Sequence, residues 1–328
     1  MSSGTAASCT VAAHPSLALV KYWGKQRGGV NLPATSSLAV TLGGLTSTTS
    51  CAAADRDSIV IDGEPQPGER SAAVLSAVRD YLRTHGHRAP PGFALRSENS
   101  FPTAAGLASS ASGYAALVFA AVGLVSRELA EADAAALSAL ARVGSGSAAR
   151  SVYGGFTAWE AGATTARQLH PPTWWPDLRV VILPVSQKAK PVSSRAGMNA
   201  TRDTSPFYPA WVDDAPGLFR EAAAALAARD LQRLGETMRM SYLRMFATML
   251  GADPPIVYWQ PATLAILHEL ETLRKAGVPA WETMDAGPQV KVLTMAPHAQ
   301  DLARSLAPHC AQEPVISGVG AGARFLAC

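Results

Sequence analysis

The chain has 328 residues, 48% of them hydrophobic and 16% charged, with 28 basic and 25 acidic side chains giving a formal net charge of +3. A length of about twice the ~150 residues that one hydrophobic core organises predicts two domains, and the apolar content excludes a disordered chain. The near-balanced charge, without a dense Lys/Arg run, excludes phosphate-driven nucleic-acid binding; no apolar run reaches the ~18 residues of a membrane helix, and Met1–Pro15 lacks a signal peptide's basic start and apolar block.

In chain order, the spacing predicts short strands over Cys9–His14, Leu17–Tyr22 and Ser37–Leu42, and more β structure over Ser47–Ala54 and Ser58–Asp62. Glu69–Thr84 has helical spacing through Val74, Leu75, Val78 and Leu82, closed by Gly86 and the Pro90-Pro91-Gly92 breaker. Phe93–Ser97 reads as a strand. The small-residue run Pro102–Gly113 then feeds a helix with Leu117, Val118, Ala121, Val122 and Val125 on its apolar face. A helix over about Glu128–Arg142 precedes a second small-residue turn, Gly144–Ala149. Gly162–Asp177, with Pro171-Pro172 and Trp174-Trp175-Pro176, reads as a domain-scale connection and predicts domains 1–177 and 178–328. Beyond it lie a strand over Leu178–Pro184 and helices near Gly217–Ala228, Leu231–Leu250 and Ala262–Ala276. Strands near Ala280–Met284 and Val290–Leu293 flank Asp285, and a helix over His298–Leu306 and a last strand complete the order. Strands and helices mix without regular βαβ alternation, which predicts an α+β fold.

Cys9, Cys51, Cys310 and Cys328 are dispersed, without a CxxC pair or metal spacing, and read as reduced thiols of a cytoplasmic protein. The histidines form no HxxxH or HExxH, so the chemistry is expected to need no zinc.

Candidate chemistry begins at Pro102–Gly113, where a strand runs into small residues and then a helix. Free N–H groups at a helix start suit a phosphate, and Ser109, Ser110 and Ser112 add hydroxyls for phosphate or a magnesium ion. No Gly-Lys-Ser/Thr follows, so this is not a Walker loop; the competing reading is a small-residue helix packed closely on a neighbour. Gly144-Ser145-Gly146-Ser147-Ala148-Ala149-Arg150-Ser151 opens a second helix with an arginine one turn in. It reads as an anion cradle or as a tight turn with a surface arginine. Lys21-Tyr22-Trp23-Gly24-Lys25 follows a strand, and its lysines read either as ligand contacts or as ordinary surface charge. Ser193-Ser194-Arg195-Ala196-Gly197-Met198, preceded by Lys188 and Lys190, is a polar basic loop and a candidate lid. Thr283-Met284-Asp285-Ala286-Gly287-Pro288 sets an acid before a Gly-Pro turn, as a catalytic carboxylate or a turn-forming Asp. Gly318–Gly322 precedes no helix of useful length and reads as a turn. Two anion cradles, several cations and one acid together predict a phosphorylated substrate and a nucleotide.

With these residues in view, the loop Pro102–Ser112 resembles the phosphate motif of the GHMP kinase superfamily, and the whole set resembles its mevalonate diphosphate decarboxylase family. The matching segments are Lys21–Lys25, Asn31-Leu32-Pro33, Ser97–Gly113, Gly144–Gly155, Ser193–Met198 and Met284–Pro288, in the family's order across nearly the full chain. The Tyr-Trp-Gly-Lys and Met-Asp-Ala-Gly-Pro elements set this family apart from ordinary GHMP kinases.

The resemblance implies an N-terminal domain like ribosomal protein S5 domain 2, a ferredoxin-like C-terminal domain, an active site in the cleft between them, and a homodimer. It further implies ATP-dependent decarboxylation of (R)-5-diphosphomevalonate to isopentenyl diphosphate, with Mg2+. Carried onto this sequence, Asp285 would orient or deprotonate the 3-hydroxyl, Lys25 would support Asp285 and the transferring phosphoryl group, and Arg150 would clamp the substrate carboxylate. Tyr22, Trp23, Gly24, Ser145, Gly146, Ser147, Ala148, Ala149, Arg195, Met198 and Ala286 match substrate positions, joined by Arg70. The ATP phosphates would be held by Ser97, Pro102, Ala105, Gly106, Leu107, Ala108, Ser109, Ser110 and Ser112, with Mg2+ on Ser110 and Lys188 or Lys190 closing over the nucleotide.

The sequence departs from the family where Ser16-Leu17-Ala18 replaces Asn-Ile-Ala, Phe246 replaces a histidine of many bacterial relatives, and Ala149 replaces serine or cysteine. None removes Asp285, Lys25 or Arg150. The alternatives are a 5-phosphomevalonate decarboxylase, a GHMP kinase that does not decarboxylate, and a non-catalytic nucleotide-binding relative.

Overall fold

A computed structural model describes residues 8–66, 68–101, 109–188 and 190–328. The first sheet has the order β14-β1-β4-β7-β5-β6, built from β1 (Ser8–Ala13), β4 (Ser47–Ala54), β5 (Ser58–Ile61), β6 (Glu64–Pro65), β7 (Gly92–Asn99) and β14 (Arg324–Ala327). Along β4, buried and half-buried residues alternate, as expected for a sheet packed on one face. That face is covered by α1 (Glu69–Thr84), α2 (Ser109–Val125), α3 (Arg127–Ala132) and α4 (Ala134–Gly144). Val74, Val78 and Leu82 of α1 and Leu137 of α4 close a core on Phe93 and Leu95. Residues 115–123 of α2 are buried all round, and the alanines among them let the helix approach the sheet closely.

The second sheet, β2-β3-β8-β9, contains β2 (Ser16–Val20), β3 (Ser37–Thr41), β8 (Phe156–Trp159) and β9 (Arg167–His170). Every residue of β2, β3 and β8 is buried, so both of their faces are covered. The third sheet, β11-β12-β10-β13, contains β10 (Leu178–Leu183), β11 (Trp281–Met284), β12 (Val290–Met295) and β13 (Val315–Ser317). Its helical partners are α7 (Tyr208–Ala228), α8 (Leu231–Leu250), α9 (Pro261–Lys275) and α10 (Ala296–Leu306), while the short α5 (Ala148–Ser151) and α6 (Ser194–Thr204) border the cavity described below. One core cluster joins the sheets, packing Leu17, Leu38 and Val40 with Val180, Ile182, Leu218 and Leu234. The sheets are antiparallel apart from the β5–β7 pair, and the fold is α+β. No helix among the described residues is long and apolar enough to cross a membrane.

Helices α1 and α8 have the bounds that the spacing predicts. The single helix expected over Glu128–Arg142 is two, because the Asp133 side chain accepts from Ala136 N and caps a new start. The connection Gly162–Asp177 contains β9, which pairs with β8. Helix α7 begins nine residues before Gly217 and runs through Pro216, a residue that ordinarily stops a helix. Ser193–Met198 is not a loop: the Ser193 hydroxyl accepts from Ala196 N and caps α6. Gly318–Gly322 lies along β3, with Gly43 N donating to Gly318 O and Gly320 N to Thr41 O.

The reading of four reduced thiols is corrected. Cys9 and Cys328 are joined by a disulfide, while Cys51 and Cys310 are free. Strand β14 pairs with β1 in the register Thr10↔Ala327, which sets positions 9 and 328 side by side. At a sequence separation of 319, no local spacing announces the pair.

Candidate active site

Lys21 follows directly on β2. Its amide donates to Ser241 Oγ of α8 at 2.9 Å, and its Nζ donates to Ala18 O at 2.8 Å and to Asp285 Oδ1 at 2.9 Å. Asp285 follows β11, with its side chain 36% exposed. Its second oxygen accepts from Lys291 Nζ of β12 at 3.3 Å. Burial acts to raise the Asp285 pKa, but Lys21 and Lys291 overturn it and hold the carboxyl well below the ordinary range. Burial lowers the Lys21 pKa to about 8, with Asp285 opposing and Lys291 and Arg150 adding to the fall.

Arg150 sits on α5 and is 3% exposed. Its Nη1 donates to Ser37 Oγ at 2.5 Å, and its Nε is buried with no partner among the described residues. Burial lowers its pKa to about 10. The Tyr22 hydroxyl is also buried without a described partner, and a Cβ built on Gly146 would lie 2.5 Å from it. Arg150 and Tyr22 both line one cavity of about 820 Å³.

Ser109 and Ser110 open α2 on the cavity wall, and Ser110 Oγ lies 3.4 Å from Ser145 Oγ, which is itself 3.2 Å from Ser147 Oγ. Lys188 and Lys190 line the same space, as do Arg195 and Met198 of α6, together with Arg70, Trp23 and Ala286. Lys190 Nζ donates to Ser194 Oγ at 2.7 Å and Ala286 O at 2.9 Å, tying its segment to the turn after Asp285. Gln289 reinforces that tie: its Oε1 accepts from Val185 N at 2.5 Å and its Nε2 donates to Ser186 O at 2.6 Å.

Several expectations change. Lys25 lines the cavity, but its Nζ donates to Asn31 Oδ1 at 2.7 Å; the lysine on Asp285 is Lys21. The reason is the turn between them, where Gly24 adopts φ 110° and redirects the chain. Gly24 itself packs against the Tyr208 hydroxyl, where an added Cβ would lie 2.0 Å away, and does not line the cavity. Ala148 and Ala149 are fully buried behind Arg150. Ser112 faces the sheet, its hydroxyl 2.7 Å from that of Ser47, and the Ser97 hydroxyl accepts from Thr49 Oγ1 at 3.0 Å; neither lines the cavity. Pro102, Ala105, Gly106, Leu107 and Ala108 lie outside the described residues. Phe246 is buried and stacked on Trp259 at 5.5 Å between ring centroids.

Sequence reasoning passed over Lys291 and Gln289 and named Asn31 only within a matching segment; Asn31, Gln289 and Ser16 line the cavity. A lysine inside the apolar strand Val290–Leu293 was the available signal, because a buried ammonium requires a partner.

A second space of about 630 Å³ shares Lys25, Arg70 and Arg195 with the first and adds Arg27 and Arg202. Burial and the neighbouring Arg195, Arg70 and Arg202 lower the Lys25 pKa to about 8. This crowd of like charges is suited to a polyanion. No group of three His, Cys, Asp or Glu side chains that could hold a metal occurs among the described residues.

The family described as "Diphosphomevalonate decarboxylase-like N-terminal domain" matches residues 13–169, and "Mevalonate 5-diphosphate decarboxylase C-terminal domain" matches residues 180–319. The diphosphomevalonate decarboxylase of Candida albicans is 36% identical over 306 residues, covering 87% of this chain and 83% of that one. The human diphosphomevalonate decarboxylase is 35% identical over 314 residues, covering 88% and 77%. Among solved structures, mevalonate diphosphate decarboxylase from Staphylococcus aureus superposes with a TM-score of 0.87 at 34% identity, covering 97% of this chain and 98% of that one. The protein called MDDEF, solved with MVAPP, AMPPCP and magnesium, superposes with a TM-score of 0.86 at 34% identity, covering 98% and 99%.

Proposed function

The chain belongs to the diphosphomevalonate decarboxylase family, and from that premise we propose that it converts (R)-5-diphosphomevalonate and ATP to isopentenyl diphosphate, ADP, phosphate and CO2. The observation that carries this reading is Asp285, held ionised between Lys21 and Lys291 in a cavity shared with Arg150 and with the serines of α2 and residues 145–147. The tertiary 3-hydroxyl of the substrate is a poor leaving group, so it is phosphorylated first. Loss of that phosphate leaves cationic character at C3, and the neighbouring carboxylate departs as CO2.

Asp285 accepts the hydrogen bond of the 3-hydroxyl and aims its oxygen at the γ-phosphoryl group. A carboxylate held below the ordinary range is a weak base, so its main contribution is orientation and negative charge beside the developing cation. Lys21 donates to two oxygens among the described residues, which leaves its third N–H for the transferring group. Arg150, fixed by Ser37, turns its guanidinium charge toward the substrate carboxylate. Lys25, Arg70 and Arg195, with Arg202 beyond them, take the diphosphate end, which favours the diphosphate over the monophosphate.

ATP phosphates fit the Ser109–Ser110 and Ser145–Ser147 hydroxyls, with Lys188 and Lys190 beside them. Among the described residues, the one carboxylate on the cavity is engaged by two lysines, so Mg2+ fits as an ion carried on the nucleotide phosphates with Ser110 as a protein ligand. Bound there, it would neutralise phosphate charge. We also propose a homodimer and two domains divided at residue 177, with β14 returning to the first sheet; light scattering that returns only a 34.1 kDa particle would reject the dimer.

The test is incubation with Mg-ATP and either phosphorylated mevalonate, following ADP and CO2 together. Equal release of both, faster with the diphosphate, is expected. ADP without CO2 would reject decarboxylation, and faster monophosphate turnover would overturn the substrate.

A further inference from the structure

Strand β12 is buried from Val290 to Thr294, and Lys291 within it is 2% exposed. A strand covered on both faces ordinarily reads as a continuous apolar run, and an ammonium in that position costs several kcal/mol unless it is paired. The sheet register supplies a pair. Lys291 lies opposite Thr283 of β11, and Asp285 follows two residues later, on the same face by strand alternation. Lys291 Nζ reaches Asp285 Oδ2 at 3.3 Å while Lys21 takes Oδ1 at 2.9 Å, so each carboxylate oxygen has its own cation. Unlike Lys21, Lys291 does not line the cavity. It reaches the site through Asp285.

We propose that Lys291 is a positioning residue, which with Lys21 fixes the plane of the Asp285 carboxylate so that one lone pair faces the cavity before substrate arrives. This rests on the decarboxylase reading. A carboxylate held by Lys21 alone would be free to swing about that one contact, and a misplaced acceptor degrades a near-attack geometry. The charged groups facing Asp285 are Lys21 after β2, Lys291 on β12, Arg150 on α5 and Lys190 on the segment before α6. Lys291 both lowers the Asp285 pKa and lowers that of Lys21. Its removal therefore raises both, and the basic limb of the pH profile, set by Lys21, moves to higher pH.

The experiment compares Lys291→Met, Lys291→Gln and Lys291→Arg, each checked for folding by circular dichroism and thermal unfolding. The expected result for the Met and Gln proteins is kcat down about 100-fold, KM within about threefold, and the basic limb displaced upward. The Arg variant should restore the limb position. Independently of turnover, the Asp285 carboxyl is titrated by 13C NMR in Asp-labelled protein, assigned by its loss in Asp285→Asn. It should titrate at higher pH in the Met and Gln variants and return in the Arg variant. An unmoved Asp285 titration in folded Lys291→Met or Lys291→Gln would overturn the proposal, as would a change confined to KM. If the wild-type protein releases no CO2, the functional reading fails, and the carboxyl titration still decides the role of Lys291.

Discussion

Along one wall of the cavity, Ser109, Ser110, Ser145, Gly146 and Ser147 present hydroxyls and bare backbone from two short runs of chain. A second set on the same cavity, Lys21, Arg150 and Asp285, brings charge, and Lys291 backs it from β12. The first wall works by leaving room: its groups are small, neutral and able to serve any phosphate placed there. The second works by balance, since each buried charge depends on the others for its protonation state and its position. Substitutions on the second wall should therefore remove chemistry, and those on the first should weaken binding.

The largest expected effect is at Asp285. Asp285→Asn should lower kcat about 10³-fold while ATP still binds, read by steady-state turnover beside nucleotide titration; near-normal turnover would remove Asp285 from its role. Next comes the pair of lysines. Lys21→Met should lower kcat about 100-fold, whereas Lys25→Met should mainly raise the KM for the phosphorylated mevalonate, about tenfold. The reverse pattern would return Lys25 to the reacting end. The pH profile of kcat/KM gives the third check. Both lysines titrate near 8, are charged below it and neutral above it, so kcat/KM should fall about tenfold per unit for each as pH rises past 8. Asp285, held below the ordinary range, should contribute no acid limb at neutral pH. A smaller effect is expected from Gly146→Ala, whose methyl meets the Tyr22 hydroxyl; KM should rise severalfold with kcat nearly kept. Smallest is Ser112→Ala, which removes a buried hydrogen bond to Ser47 and should cost about 1 kcal/mol of stability, measured by denaturant unfolding, without changing the KM for ATP.

The same contrast explains what the sequence disclosed. The small-residue wall was legible because it consists of contiguous runs, and glycine and serine at a helix start have a local meaning. Helices α1 and α8 were legible because their apolar spacing is regular, and Asp230 caps α8 locally. The charged wall was only partly so. Asp285 and Arg150 lie in recognisable motifs, but Lys21 and Lys25 look alike until the turn at Gly24 sends one toward Asp285 and the other toward Asn31. Lys291 acquires its partner through sheet register, which no local window contains. The bond between Cys9 and Cys328 was hidden for the same reason, as it depends on β14 returning beside β1.

The core cluster that packs Leu17, Leu38 and Val40 with Val180, Ile182, Leu218 and Leu234 has a mechanical consequence. The halves of the chain on either side of the cavity are fused along a dry seam and do not merely lean together across a wet one. Neither half can melt without stripping the other's apolar face, so the expected outcome of calorimetry is a single thermal transition. A chain severed at residue 177 would leave two fragments with greasy scars, which regain solubility only in each other's company.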